Sequence, residues 1–237
     1  MTLNYWHYRK ISFSIVVLVV VLSAALLLKP YIPRGGGGAG LGNGEILLPA
    51  PRLKGDMSVE EAIARRRSVR NYRREPLTLS ELSQLLWAAQ GITHENKRSA
   101  PSAGATYPME VFVFVGSVEG VEPGIYRYDP ARHSLQTVRL GDLRGELQKA
   151  ALNQEWVGKA AADIVLVAFY GRTTGYYGSR GRMYVHMEAG HIGQNIYLQA
   201  TALGLGTVSV GAFDESRVAE IIGTEGVPLY IFPVGRS

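Results

Sequence analysis

Six arginines, Arg65, Arg66, Arg67, Arg70, Arg73 and Arg74, fall within ten positions of the stretch ARRRSVRNYRRE, residues 64–75. Like charges packed this densely repel one another, so a folded domain gains by gathering them where an anion receives them. Ser58 and Glu61 have capping-box spacing and open a helix expected to run through Arg66. Near Arg67 the negative end of that helix favours cations. Ser68 then interrupts the charges with a hydroxyl, and in an extended chain Ser68 and Arg70 point the same way. Guanidinium forks plus a hydroxyl suit a compact anion such as a terminal phosphate, as against a merely solvated basic face. Arg73 and Arg74 read as ordinary surface charges.

Three further stretches hold residues that could do chemistry. APSAGATYP, residues 100–108, places Pro101, small side chains and Gly104 directly before a strand, so that backbone can approach a flat ligand there, or the stretch is an ordinary tight connection. In GLGTVSVGAFD, residues 204–214, Gly204 and Gly206 follow a helix and read as a helix exit. Gly211 and Ala212 follow a strand and offer unencumbered N–H groups. His186, Glu188 and His191 invite a metal reading, but the histidines are five apart, and Glu188-x-x-His191 is half of a di-iron pattern without its second pair. No metal site is expected.

The charge balance argues against a nucleic-acid binder, which stands as a third reading. The formal charge is +5, but Arg9, Lys10, Lys29 and Arg34 lie in a first segment, 1–44, that has no acid, leaving the rest with 21 basic and 20 acidic side chains. A nearly neutral body lacks the broad basic field that nucleic-acid affinity requires. With no cysteine, thiolate chemistry and disulfides are excluded as well.

Elements must position these residues. A short basic flank, 1–10, precedes Ile11–Leu28, eighteen uncharged residues that at about 1.5 Å each span about 27 Å. This predicts an uncleaved single-pass membrane anchor over 11–29 in preference to a cleaved signal peptide, with the side of the membrane open. A linker follows over 30–55, with the glycine-rich stretch 33–44 at its centre, and the body looks folded from about Glu45. In that body Thr78 and Glu81 open a second helix ended by Gly91, and 110–116 reads as a strand. A hairpin turns at Asp129-Pro130. Helix 142–152, strand 163–170, a long central helix 182–203, strand 206–213, a helix capped by Asp214 and strand 228–234 complete the body. Irregular interleaving predicts α+β architecture, helices packed on a mostly antiparallel sheet.

Together RRSVRNY (66–72), PSAGATYP (101–108), the long stretch 177–214 and PLYIFPVGR (228–236) resemble the FMN-dependent nitroreductase superfamily, in family order over 56–237. More narrowly they are similar to its azoline-dehydrogenase-like branch, related to oxidases that aromatise thiazolines and oxazolines in peptides. The resemblance implies an FMN-bound homodimer with the flavin at the subunit interface. It makes Arg66, Arg67, Ser68 and Arg70 cofactor ligands, with Arg236 as a further phosphate partner. Ser102, Ala103 and Gly104 would lie against the flavin of the other subunit. Gly211 and Ala212 would direct N–H groups toward N5 and O4, and Gln194 is a further candidate ligand. A cation beside the flavin also raises its reduction potential.

The expected activity is hydride transfer from a reduced nicotinamide, NAD(P)H, to a small conjugated acceptor such as a quinone or nitro compound. Where azoline-oxidising relatives carry a Lys-Tyr pair, this chain has Tyr176 and Tyr177. An azoline-type dehydrogenase with Tyr177 as its catalytic group is the alternative. A non-catalytic, membrane-tethered flavin-binding module is another.

Overall fold

A computed structural model describes residues 44–237. Ile11–Leu28 lies outside the described residues. The expected membrane placement is corrected: among the described residues no helix is long and apolar enough to cross a membrane.

Seven strands form one sheet in the order β1-β4-β3-β2-β5-β7-β6: β1 Glu45–Leu47, β2 Met109–Val115, β3 Gly124–Asp129, β4 Ser134–Leu140, β5 Ala162–Ala168, β6 Leu205–Thr207 and β7 Val227–Arg236. Every neighbouring pair is antiparallel. The helices are α1 Val59–Arg65, α2 Leu79–Gln90, α3 Arg144–Ala150, α4 Glu155–Lys159, α5 Gly171–Tyr177, α6 Gly181–Ala202 and α7 Glu215–Ile222. The α+β expectation therefore holds.

The central strands read as unbroken apolar runs because helices cover both faces of the sheet. Val111, Val113, Val115, Ile164, Leu166, Phe232 and Val234 point to the layer that holds Leu82, Leu85 and Leu86 of α2 and Val185, Ile192 and Ile196 of α6. Phe112, Phe114, Val165, Val167 and Ile231 point to the opposite layer, with Leu147 of α3, Val157 of α4 and Val218 and Ile221 of α7. Period two in the strands and spacings of three and four in the helices thus meet in two cores. At Gly193 the α6 backbone comes so close to the sheet that a Cβ would lie 2.7 Å from the Phe232 ring.

Three boundaries differ from expectation. The linker does not extend to residue 55. Glu45–Leu47 pairs with β4, Leu48 N donates to His133 O, and Arg52 N donates to Gln84 Oε1. The strand expected over 206–213 is confined to Leu205–Thr207, after which Val210 alone bridges Ile231. Helix α5 was not expected, since GRTTGYY buries only Thr173 and shows no apolar period.

Candidate active site

Both expected capping boxes form, at Ser58–Glu61 and Thr78–Glu81. Helix α1 ends at Arg65, and Arg66 turns to extended backbone (φ −54°, ψ 125°). Residues 66–73 then run as a strap outside edge strand β6. Val69 N donates to Thr207 O (2.9 Å), Arg73 N donates to Arg236 O (2.9 Å), and Tyr72 OH donates to Val69 O (2.8 Å) and Pro233 O (3.2 Å). Burial, aided by nearby Asp163 and Tyr197, pushes the Tyr72 phenol far above its ordinary value, so it stays a donor. Glycines let the strap lie this close: a Cβ at Gly206 would sit 2.7 Å from Val69 Cγ1, and one at Gly235 would sit 2.8 Å from Tyr72.

The arginines divide by partner. Arg65 pairs with Glu61 (3.2 Å) and Arg73 with Glu75 (3.4 Å). Among the described residues Arg66, Arg67, Arg70 and Arg74 have no carboxylate partner. Arg66 is half-buried, with its guanidinium 5.1 Å from the Tyr197 ring centroid, and Arg70 lies 5.3 Å over Trp156. Ser68 and Arg70 do not share a direction as expected. Ser68 Oγ reaches Tyr197 OH of α6 (3.0 Å) on one side of the sheet, while Arg70 reaches Trp156 of α4 on the other. The strap crosses the sheet edge, so successive contacts fall on opposite layers.

Tyr197 also binds the segment that follows β6. Its hydroxyl accepts the Ser209 N–H (2.8 Å) and lies 3.4 Å from Ser209 Oγ. Burial pushes its phenol up, but the bonds from Ser209 and Ser68 and the Arg66 charge outweigh this, and the net shift is downward. Two residues beyond Ser209, Gly211 and Ala212 are exposed, and their N–H groups have no acceptor among the described residues. Gln154 Nε2 holds the Ala212 carbonyl at 2.7 Å.

Ser102, Ala103 and Gly104 stand elsewhere, beside the first half of α6. The Ser102 hydroxyl accepts the Tyr107 N–H (3.0 Å) and bonds buried Glu188. Glu188 in turn accepts from Gln90 (3.3 Å), and its carboxyl is pushed upward, by burial above all. Gly104 has φ +59°, and a Cβ there would lie 2.7 Å from Tyr177 OH. The Tyr177 ring stands edge-on between Tyr176 (4.8 Å) and Tyr184 (5.2 Å), and its hydroxyl makes no hydrogen bond among the described residues. Glu188 and Tyr197 are nine residues apart on α6, about 13 Å of helix rise. The two groups of candidate residues therefore stand apart along one helix.

Two expected ligands are placed differently. Arg236 spends its guanidinium on Glu81 (2.6 and 3.0 Å) and on the Pro76 carbonyl (3.3 Å). Gln194 is exposed on α6, with no hydrogen bond among the described residues. His186 bonds Tyr170 while Glu188 turns inward to Gln90, and among the described residues no cluster could hold a metal ion. Sequence reasoning missed Tyr197, Trp156 and Ser209. Tyr197 occupies an apolar-period position and reads as core, and nothing in NQEWVGK marks Trp156.

Free guanidinium groups beside free N–H donors suit an anionic ligand rich in acceptors, as a flavin phosphate would be. The Nitroreductase family model matches residues 63–236. A Methanocaldococcus jannaschii protein assigned as a nitroreductase is 50% identical over 183 residues, 77% of this chain and 92% of that protein. A crystal structure assigned as a nitroreductase of Ralstonia eutropha is 31% identical, with TM-score 0.72, over 89% of this chain and 96% of the other. The trifolitoxin operon protein TfxC of Rhizobium leguminosarum is 22% identical over 193 residues, 74% of this chain but 54% of that protein. The chain belongs to the nitroreductase family. It is an oxidoreductase enzyme.

Proposed function

We propose that this enzyme is FMN-dependent, taking hydride from a reduced nicotinamide and delivering it to a small conjugated acceptor such as a quinone or nitro compound. One observation carries the reading: Arg66, Arg67 and Arg70 keep unpaired guanidinium groups while their neighbours Arg65 and Arg73 are neutralised. FMN, when bound, supplies hydride chemistry at its ring N5. Arg66, Arg67, Arg70 and Ser68 hold its phosphate and the pyrimidine edge, and Gly211 and Ala212 donate N–H groups to the ring. Ser102, Ala103 and Gly104 lie against the flavin of a second copy, which makes the working unit a homodimer. The separation of the two groups of residues along α6 supports this. Arg236 is left out of the cradle because Glu81 already holds it.

Visible absorbance tests the reading. The purified chain should take up FMN, show the yellow flavin band and lose it when reduced nicotinamide is added without oxygen. A colourless protein that binds no FMN would refute it.

Azoline oxidation is the second reading, supported by the TfxC likeness and by the free Tyr177 hydroxyl beside Gly104. No cationic side chain is bonded to that hydroxyl among the described residues, which favours the first reading.

A further inference from the structure

The two parts of the proposed cradle, the strap and the 208–212 segment, come from distant stretches of chain yet share one hydrogen-bonding atom. Tyr197 Oη meets Ser68 Oγ at 3.0 Å on one side and the Ser209 N–H at 2.8 Å on the other. The Ser209 amide can only donate, so it fills one acceptor position of the phenol oxygen and leaves the phenolic hydrogen to go outward. Ser68 Oγ, at 3.0 Å, is nearer than Ser209 Oγ, at 3.4 Å, and is the better acceptor by distance. A serine hydroxyl that accepts from Tyr197 still has its own hydrogen to give. Ser68 is exposed, and both it and Arg66, which has no carboxylate partner among the described residues, meet Tyr197, so that hydrogen is free to turn to an anion that Arg66 receives. Chains of this kind polarise link by link.

We propose that Tyr197 is a positioning residue: held by the Ser209 N–H, it donates to Ser68 and so directs the Ser68 hydrogen to the phosphate gripped by the arginine strap. The proposal rests on the FMN reading and adds to it how one hydroxyl on α6 orients a ligand on another segment. The phenol is confronted by few other groups. The strap brings Arg66, whose charge lies 5.1 Å from the ring centroid, and Tyr72, which stays neutral. From β7 comes the ring of Phe232, at 6.1 Å. Ionising Tyr197 would oblige Ser68 to turn its hydrogen back to the phenolate, removing a donor from the ligand and adding a negative charge near Arg66. The downward shift of this phenol brings that loss to lower pH than an ordinary tyrosine would.

The test is equilibrium binding of FMN and of riboflavin, which lacks the phosphate, to the full chain and to Tyr197→Phe between neutral and alkaline pH. Tyr197→Phe keeps the ring beneath Arg66 and should weaken FMN about tenfold at neutral pH, leave riboflavin unchanged and remove the alkaline loss of FMN affinity expected of the parent. Ser68→Ala should match it, and the double variant should be no worse than either. A merely structural tyrosine would change both ligands alike or neither, with the alkaline profile retained, and that result overturns the proposal. Should Tyr197→Phe not fold, the parent's pH profile and Ser68→Ala decide by themselves: a profile flat into alkaline pH, or Ser68→Ala at full affinity, overturns it. A parent chain that binds no FMN at all refutes instead the reading on which the proposal stands.

Discussion

Arg236 and Glu81 meet through two hydrogen bonds of 2.6 and 3.0 Å, although they lie at opposite ends of the domain sequence. Glu81 also accepts from the Thr78 N–H (2.8 Å), so one carboxylate caps α2 and fastens the end of β7 to it. Their side chains are 23% and 17% exposed, shielded enough for the pair to matter. Arg236→Ala should therefore cost about 1.5–3 kcal/mol of stability in urea unfolding while FMN affinity stays at the parent value. Lost FMN affinity with unchanged stability would return Arg236 to the phosphate.

Arg66 and Arg70 should behave the opposite way. Neither has a carboxylate partner among the described residues, so removing either costs the fold little. Arg66→Ala and Arg70→Ala should each weaken FMN by about 1.5–3 kcal/mol, the value of a hydrogen bond to a charged group, read by calorimetry. Unfolding midpoints near the parent value should accompany the loss.

Gly206 lets the strap dock. A Cβ there would fall 2.7 Å from Val69 Cγ1 and 2.9 Å from Val69 Cβ, positions fixed by the Val69–Thr207 bond. Gly206→Ala should cost about 1–3 kcal/mol by overpacking and weaken FMN by displacing Ser68. Gly145→Ala, where no atom lies within 4 Å, should leave FMN affinity alone.

The cluster of arginines, the two capping boxes and the long helix were legible because charge spacing, caps and apolar period are local signals. The fork between paired and unpaired arginines was not, since Glu61 is near in sequence but Glu81 meets Arg236 only through the fold. Tyr197 was illegible for a related reason: its ring obeys the core period of α6 while its hydroxyl serves Ser68 and Ser209. Strand β6 stops at Thr207 because only Leu205–Thr207 finds ladder partners on β7, although the apolar pattern continues. Helix α5 forms against α6 without an apolar stripe of its own.

Asp163 gives a pH signature. It is wholly buried opposite Phe114 and Pro233, and neither carboxylate oxygen has a hydrogen-bond partner among the described residues. Burial pushes its carboxyl well above the ordinary range, against the opposing charge of Arg144. The folded chain thus holds this proton more tightly than the unfolded chain. Its contribution is full below about pH 4 and is lost as pH rises through the folded value. Urea midpoints of Asp163→Asn should gain on the parent progressively from about pH 4 upward. A difference independent of pH would contradict this.

The most direct test of phosphate capture compares FMN with riboflavin by calorimetry on the parent chain and on the Arg66→Ala, Arg70→Ala double variant. The parent should bind FMN far more tightly than riboflavin, and the double variant should lose most of that preference, FMN weakening much more than riboflavin. Equal affinities in the parent, or a preference for FMN undiminished by both substitutions, would contradict the account.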